Sequence, residues 1–352
     1  MQRSSRRVIA LIALALVVAL GAAACSSSKS KSTASDSGAL TGTVRLGYFA
    51  NLTHASALVG VADGYFTKAL GPNVSFKTQI YNAGPDEVTA LLSGALDAAF
   101  VGPGPAINAF QKSHGAVKIY SGATSGGAEL VVKPTINSAA DLKGKKVADP
   151  QLGNTQDVAL RTWLKGQGLN TTTTGGGDVS ITPQQNADTL QLFKQGAIDG
   201  AWVPEPWATR LVKDAGGKVL VNEKDLWPSG KFVTTLLVAR TSFASAHPAL
   251  LKALLEGQVQ ATDYINKNAD AAKKTANTQL TQLSGKALSS DVIDTAWTNL
   301  TFTVDPIASS LATGAAHAKA LGLLDSTDIK GIFDLSVLNS VLKASGEAAV
   351  HS

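Results

Sequence analysis

The 352-residue chain has a single cysteine, Cys25. No internal disulfide can form, a cysteine-rich zinc site is excluded, and a thiol nucleophile is excluded too if Cys25 is acylated. The five histidines are scattered, and none is paired at metal-ligand spacing. GxSxG, HExxH and Walker-loop patterns are all missing, which removes the usual hydrolase, zinc-protease and nucleotide signatures. A Glu205–His54 pair in a cleft could do acid–base work in principle. Dense runs of Lys and Arg are lacking as well; LKGKK at 142–146 reads as a solvated turn before a strand. The pI of 9.1 overstates the charge. Of 31 basic and 26 acidic residues, Arg3, Arg6, Arg7, Lys29, Lys31 and Asp36 stand in the first 41 positions, leaving 26 against 25. A nucleic-acid binder would show a basic patch, so no nucleic-acid partner is expected. Beyond residue 24 no uninterrupted apolar run reaches 18 residues, so no membrane span is expected there.

The first residues have a secretory layout: MQRSSRR, then the apolar VIALIALALVVAL, then GAAA and Cys25. A cysteine after small residues resembles the lipobox of bacterial lipoproteins, in which the signal is cut before the cysteine and the sulfur carries a lipid. Ala22 departs from that pattern, which prefers Leu; a plain signal peptide is the alternative. The expectation is a signal peptide over 1–24 and a lipid-anchored flexible tether over 25–41, the polar SSSKSKSTASDSG giving it a reach of about 20 Å.

Downstream, strand and helix patterns alternate. VRLGYF, VSFKTQIYN, AAFVG and VKIYSGAT read as strands; ASALVGVADGYFTKAL, GPDEVTALLSGALD and PGPAINAFQKS read as helices. ELVVKP at 129–134 reads as a strand crossing to a second lobe, where KKVADP and GAWV are strands and helices follow LGNTQD and EP. VTTLLVAR at 233–240 reads as a strand crossing back, and the remainder is mostly helical. The length itself argues for two lobes, and the alternation for α/β lobes with largely parallel sheets. The divisions are 42–128 for the first part of lobe 1, 129–238 for lobe 2, and 239–352 for the return to lobe 1 with the C-terminal helices.

The chain also repeats itself. GALDAAFVGPGPA at 94–106 reappears as GAIDGAWVPEPWA at 196–208, and Asp86 matches Asp188 at the same offset. Two similar lobes explain this. The repeated Asp97 and Asp199 read as structural acceptors of backbone N–H groups in a turn. Because ligands in parallel α/β sheets bind beyond the carboxyl ends of the strands, GPGPA and PEPWA are placed to line one cleft.

VRLGYFANLTHASALVGVADGYF, LLSGALDAAFVGPGPA, NSAADLKGKKVA and GAIDGAWVPEPWA, in this order over about 44–324, resemble the nitrate/sulfonate/taurine group of ABC-transporter solute-binding proteins. The resemblance implies a two-lobe periplasmic-binding-protein fold of type II, α/β, with two crossing strands as hinge. It implies no enzyme and no cofactor: a monomer, held by its lipid at the outer face of the cell membrane, that captures a small organic anion by closure. The anion would be an aliphatic sulfonate first, with taurine, nitrate or bicarbonate, or a thiamine- or riboflavin-type precursor as alternatives. It would be delivered to an ABC permease and its ATPase. An enzyme on the same fold, or a tethered sensor or adhesin, are the other classes.

The implied site comprises Asn51, Thr53 and His54; Gly102, Pro103 and Gly104; Ser125 and Gly126; Gly153, Asn154, Thr155 and Gln156; and Glu205 and Trp207. Independently, loops that run into helices offer free N–H groups and the positive end of the dipole to an anion, and glycine brings bare backbone close to a ligand. His54 either meets ligand or packs at a helix start. Asn154 and Thr155 either meet ligand or only cap a helix. Glu205 is either a first-turn acid or the partner of a ligand ammonium, and Trp207 is either a cleft wall or core.

Overall fold

The computed structural model describes residues 39–352. The expected signal peptide, Cys25 and the tether up to residue 38 lie outside the described residues. The first sheet takes β1 (Gly42–Phe49), β2 (Val74–Tyr81), β3 (Ala98–Val101) and β4 (Val117–Gly126). The chain then enters a second sheet with β5 (Ala128–Val132), β6 (Lys146–Asp149), β7 (Ser180–Pro183), β8 (Gly200–Pro204) and β9 (Lys218–Asn222). It returns to the first as β10 (Val233–Arg240) and β11 (Leu300–Phe302). Helices α1 (Ala55–Ala62), α2 (Tyr65–Leu70), α3 (Gly84–Leu92) and α4 (Pro103–Lys112) belong to the first lobe. The second lobe has α5 (Thr155–Gly166), α6 (Asn186–Lys194) and α7 (Trp207–Lys213). After β10 come α8 (Thr241–Ala246), α9 (Pro248–Lys267), α10 (Ala269–Ser284), α11 (Ser290–Thr298), α12 (Ala308–Ala320) and α13 (Ser336–Ala344).

The sheet orders are β11-β4-β10-β3-β1-β2 and β7-β6-β8-β5-β9. Both sheets are mixed. β1 runs parallel to β2 and β3, and β6 runs parallel to β7 and β8. The strands that change lobes enter against these: β10 is antiparallel to β3 and β4, and β5 is antiparallel to β8 and β9. The first crossing is the Gly126–Gly127 step, at φ +80° and +75°, where a side chain would be strained. A sequence-based division at 238 cuts β10, but the whole of that strand is in the first sheet. Its alternation explains why: Leu237 and Ala239 enter one core of the first lobe, Leu236 and Val238 the other.

Each lobe buries both faces of its sheet. On β3, Phe100 enters one core and Ala99 and Val101 the other; on β8, Trp202 and Val203 divide in the same way. Phe100 and Trp202, equivalent in the repeat, are both fully buried, each worth about 2–3 kcal/mol of transfer free energy.

The repeat is a repeat of hydrogen bonding as well. Gly94 and Gly196 make the tight turn with φ +80° and +74°. Asp97 then accepts the Arg45 N–H at 2.9 Å, and Asp199 accepts the Lys146 N–H at 3.0 Å. These N–H groups lie within β1 and at the start of β6, not in the turn, so Asp97 pins β3 to β1 and Asp199 pins β8 to β6. Asp97 also holds the guanidinium groups of Arg45 and Arg240, and Asp199 holds the Lys133 ammonium.

Candidate functional site

The loop after β1 (49–54) and the loop after β6 (150–154) occupy equivalent places in the two lobes, and so do the loops after β3 and β8. The lobes meet crosswise. GPGPA of the first lobe touches the start of α5: Gly104 N–H donates to Thr155 Oγ1 at 3.4 Å. PEPW of the second lobe touches the loop after β1: Leu52 N–H donates to the Glu205 carbonyl at 3.1 Å, and Trp207 Nε1 donates to Asn51 Oδ1 at 2.8 Å.

Between these contacts lies a small chamber, lined by Phe49, Asn51, Thr53, His54, Gly84, Gly102, Pro105, Asn154, Thr155, Gln156, Pro204 and Thr234. Thr53 and His54 precede α1, Gly84 opens α3, Gly102 caps α4, and Asn154 caps α5. Four helix N-termini thus bound one space, and among the described residues no Lys, Arg, Asp or Glu lines it. The positive dipole ends favour negative charge there.

The termini are not alike as donors. At α5, Asn154 Oδ1 accepts the Asp157 N–H at 2.9 Å, while the Thr155 and Gln156 N–H groups have no protein partner among the described residues. Thr53 N–H is likewise unpaired. At α4 the first and third residues are Pro103 and Pro105, which carry no N–H, and Gly104 N–H is engaged with Thr155. GPGPA therefore supplies field and close approach, but no free first-turn donor.

His54 is buried and stacked on Phe49, with ring centroids 4.4 Å apart. Its Nδ1 accepts the Phe49 N–H at 3.2 Å, which assigns the proton to Nε2. Burial pushes its pKa down to about 3, so the ring is a neutral donor. The packing and ligand readings of His54 are thus compatible.

Several residues expected in the site stand elsewhere. Ser125 and Gly126 are in the hinge ladder: Ser125 pairs with Val233, and the Gly126 carbonyl accepts from Thr234 Oγ1. Gly153, at φ +76°, turns the chain into α5 and donates its N–H to Asp157 at 2.8 Å. Pro103 and Gly104 face a second, mostly apolar space behind the Gly104–Thr155 contact. Glu205 is fully buried and its carboxylate is occupied: it accepts from Thr209 Oγ1 at 2.8 Å, Thr209 N–H at 3.1 Å and Asn299 Nδ2 at 2.7 Å. Burial raises its pKa against those hydrogen bonds. It caps α7 and ties that helix to the first lobe, and it is not among the residues lining the chamber. Trp207 lines a larger outer vestibule that shares Phe49 and Asn51 with the chamber.

Phe49, Gly84 and Thr234 were not anticipated from sequence, and Pro105 and Pro204 only as members of GPGPA and PEPWA. A Cβ at Gly84 would collide with Pro105, so this glycine lets α3 and α4 start side by side; the Gly-Pro opening of α3 was its readable sign. Thr234 had none, since nothing in a crossing strand marks the residue that faces the cleft. Among the described residues no cluster of three His, Cys, Asp or Glu could hold a metal, and no helix is long and apolar enough to cross a membrane.

Two α/β lobes, each with its central strand order 2-1-3-crossing-4, exchanging strands around a shared cleft, define the periplasmic-binding-protein fold. Solved structures agree. The alkanesulfonate-binding protein SsuA from Xanthomonas axonopodis pv. citri, bound to MOPS, superposes with a TM-score of 0.69 at 21% identity, covering 82% of this chain and 96% of that one. The periplasmic nitrate-binding protein NrtA from Synechocystis PCC 6803 superposes at 0.72 and 18% identity, covering 87% and 89%. The chain belongs to the NMT1-like family, whose model matches residues 38–280. It is 32% identical over 232 residues to the taurine-binding periplasmic protein of Escherichia coli (strain K12), 65% of this chain and 69% of that protein. It is 29% identical over 180 residues to a putative aliphatic sulfonates-binding protein of the same strain, 50% and 53% of the two.

Proposed function

We propose that the chain is an extracytoplasmic solute-binding lipoprotein of an ABC importer, tethered through lipid on Cys25. It closes its lobes on a small organic anion of the aliphatic sulfonate type and hands it to a permease and ATPase. The observation that carries this reading is the chamber bounded by four helix N-termini and no charged side chain. A sulfonate stays anionic at any physiological pH, and neutral donors can hold it: the Thr155, Gln156 and Thr53 N–H groups and His54 Nε2–H. Such a site binds without an ion pair to break on release. Taurine is the second reading, favoured by the 32% identity to a taurine-binding protein. Its ammonium would need an acceptor other than Glu205, whose oxygens are taken by Thr209 and Asn299.

Calorimetric titration of the purified full-length chain with ethanesulfonate, taurine and nitrate tests this. Saturable binding of ethanesulfonate, tighter than nitrate, is expected. Heat from nitrate alone would keep the transport role and overturn the sulfonate; silence toward all three would overturn the anion chamber itself.

A further inference from the structure

The chamber and the larger vestibule are neighbours, with Phe49 and Asn51 lining both. The two spaces differ in chemistry. The vestibule has apolar walls, among them Ile80 and Leu283, which at 36% are two of the more exposed large apolar side chains of the molecule. The indole of Trp207 forms another part of the wall from the opposite lobe. Among the described residues the charged ones lining it are cations, Arg210 and Lys286, one from each side of the cleft. Arg210 lies over the Trp207 ring at 4.7 Å and pairs through Nε with Asp214 at 3.2 Å, leaving its two Nη groups with no hydrogen-bond partner among the described residues. Lys286 has no ion-pair partner among the described residues. Asn186, 7% exposed, also lines the vestibule, and its Oδ1 is buried with no hydrogen bond.

An anion of two or three carbons uses none of this. We infer that the vestibule is a second recognition site, and that the ligand class is a sulfonate whose apolar, ring-sized spacer lies against Trp207, Ile80 and Leu283 and ends in a second anionic group between Arg210 and Lys286. The inference rests on the reading of the inner chamber as an anion site. Head group and far end would then be read by different physics. Neutral N–H groups in the chamber fix the first, and two cations of the vestibule, Arg210 partly buried, select the second. A solvent-facing ion pair contributes up to about a fivefold gain, and burial of a ring adds at least about tenfold.

Titrating the full-length chain with ethanesulfonate, 4-methylbenzenesulfonate and 4-sulfobenzoate separates the steps. The expected order of affinity is 4-sulfobenzoate, then 4-methylbenzenesulfonate, then ethanesulfonate. The preference of the first over the second should fall about threefold to fivefold in Lys286→Gln and in Arg210→Gln. Reading the ratio within each variant removes any general weakening caused by loss of the Arg210–Trp207 contact. If the two aromatic ligands bind alike, or the ratio survives both substitutions, the second anion site is wrong while the sulfonate reading stands. If ethanesulfonate binds and neither aromatic compound does, the apolar spacer is wrong as well. If no sulfonate binds, both readings fall together.

Discussion

Asp97 and Asp199 hold the same place in the repeat and make the same strand-to-strand bond, yet their surroundings differ. The Asp97 side chain is 3% exposed and faces two guanidinium groups; that of Asp199 is 23% exposed and faces one ammonium. Burial works to raise the pKa of each, and the hydrogen bonds from Arg45 and Arg240, or from Lys146 and Lys133, outweigh it and hold the carboxyl below its usual value. Removing a buried partner strands the others, whereas an exposed pair is replaced by water. Asp97→Ala should therefore cost about 3 kcal/mol and Asp199→Ala about 1 kcal/mol, read from urea denaturation. Equal costs would contradict the difference in burial. The structural role of both aspartates was legible in the sequence, because a charge repeated at one offset beside Gly-Ala and a strand has few other uses. Their partners were not legible: the N–H groups come from strands some 50 residues away, and no local spacing reports a pairing set by sheet order.

At the scale of elements, the strands and the helices facing the cleft were readable from periodicity. The turn of a side chain at a helix start was not. Glu205 shows this best: its place in a repeated cleft loop suggested a ligand, while Thr209 and Asn299 draw its carboxylate inward. GPGPA was legible as a cleft loop whose glycines bring bare backbone close; that its prolines leave the first turn of α4 without a free donor was not. What the glycines provide is approach. Gly102 has φ −70° and ψ 159°, values any residue adopts, yet a Cβ there would collide with Thr155 Oγ1. Gly102→Ala should leave the melting temperature within about 2 °C of wild type and weaken ligand binding at least about tenfold, by holding the lobes apart. Adding Thr155→Ala should restore part of the loss. Undiminished affinity in the single variant would mean that this contact is not part of the binding conformation.

For the whole molecule, buried carboxyls set the pH response. Burial raises Glu129 and Glu223 to about 7. A raised carboxyl keeps its proton in the fold while the unfolded chain loses it near 4.5, so its stabilising effect is complete below about 4.5 and is lost as pH rises through 7. His54 acts in the other direction. It stays neutral in the fold down to about 3, so stability falls as pH drops below about 6.5, where the unfolded ring takes up a proton. Burial raises Glu87, Asp149 and Glu205 as well, so the carboxyls outweigh the imidazole and predict a melting temperature at least about 5 °C higher at pH 5 than at pH 8. Glu223→Gln should flatten that slope; a protein that instead gains stability from pH 5 to pH 8 would refute the account. None of this could be read from the sequence, where these glutamates look like any others.

The exchange of strands between lobes has a consequence for biogenesis. β3 and β4 do not pair with each other; β10 lies between them. As the chain is made, β1 to β4 emerge first, but the centre of their sheet is missing until Arg240 has followed. The second lobe, whose strands end at Asn222, can assemble while the first is still an open half. The large separation in sequence between β10 and its neighbours makes that last closure slow. For the exported chain proposed above such lateness is useful, because a translocation channel accepts polypeptide that has not yet closed its core.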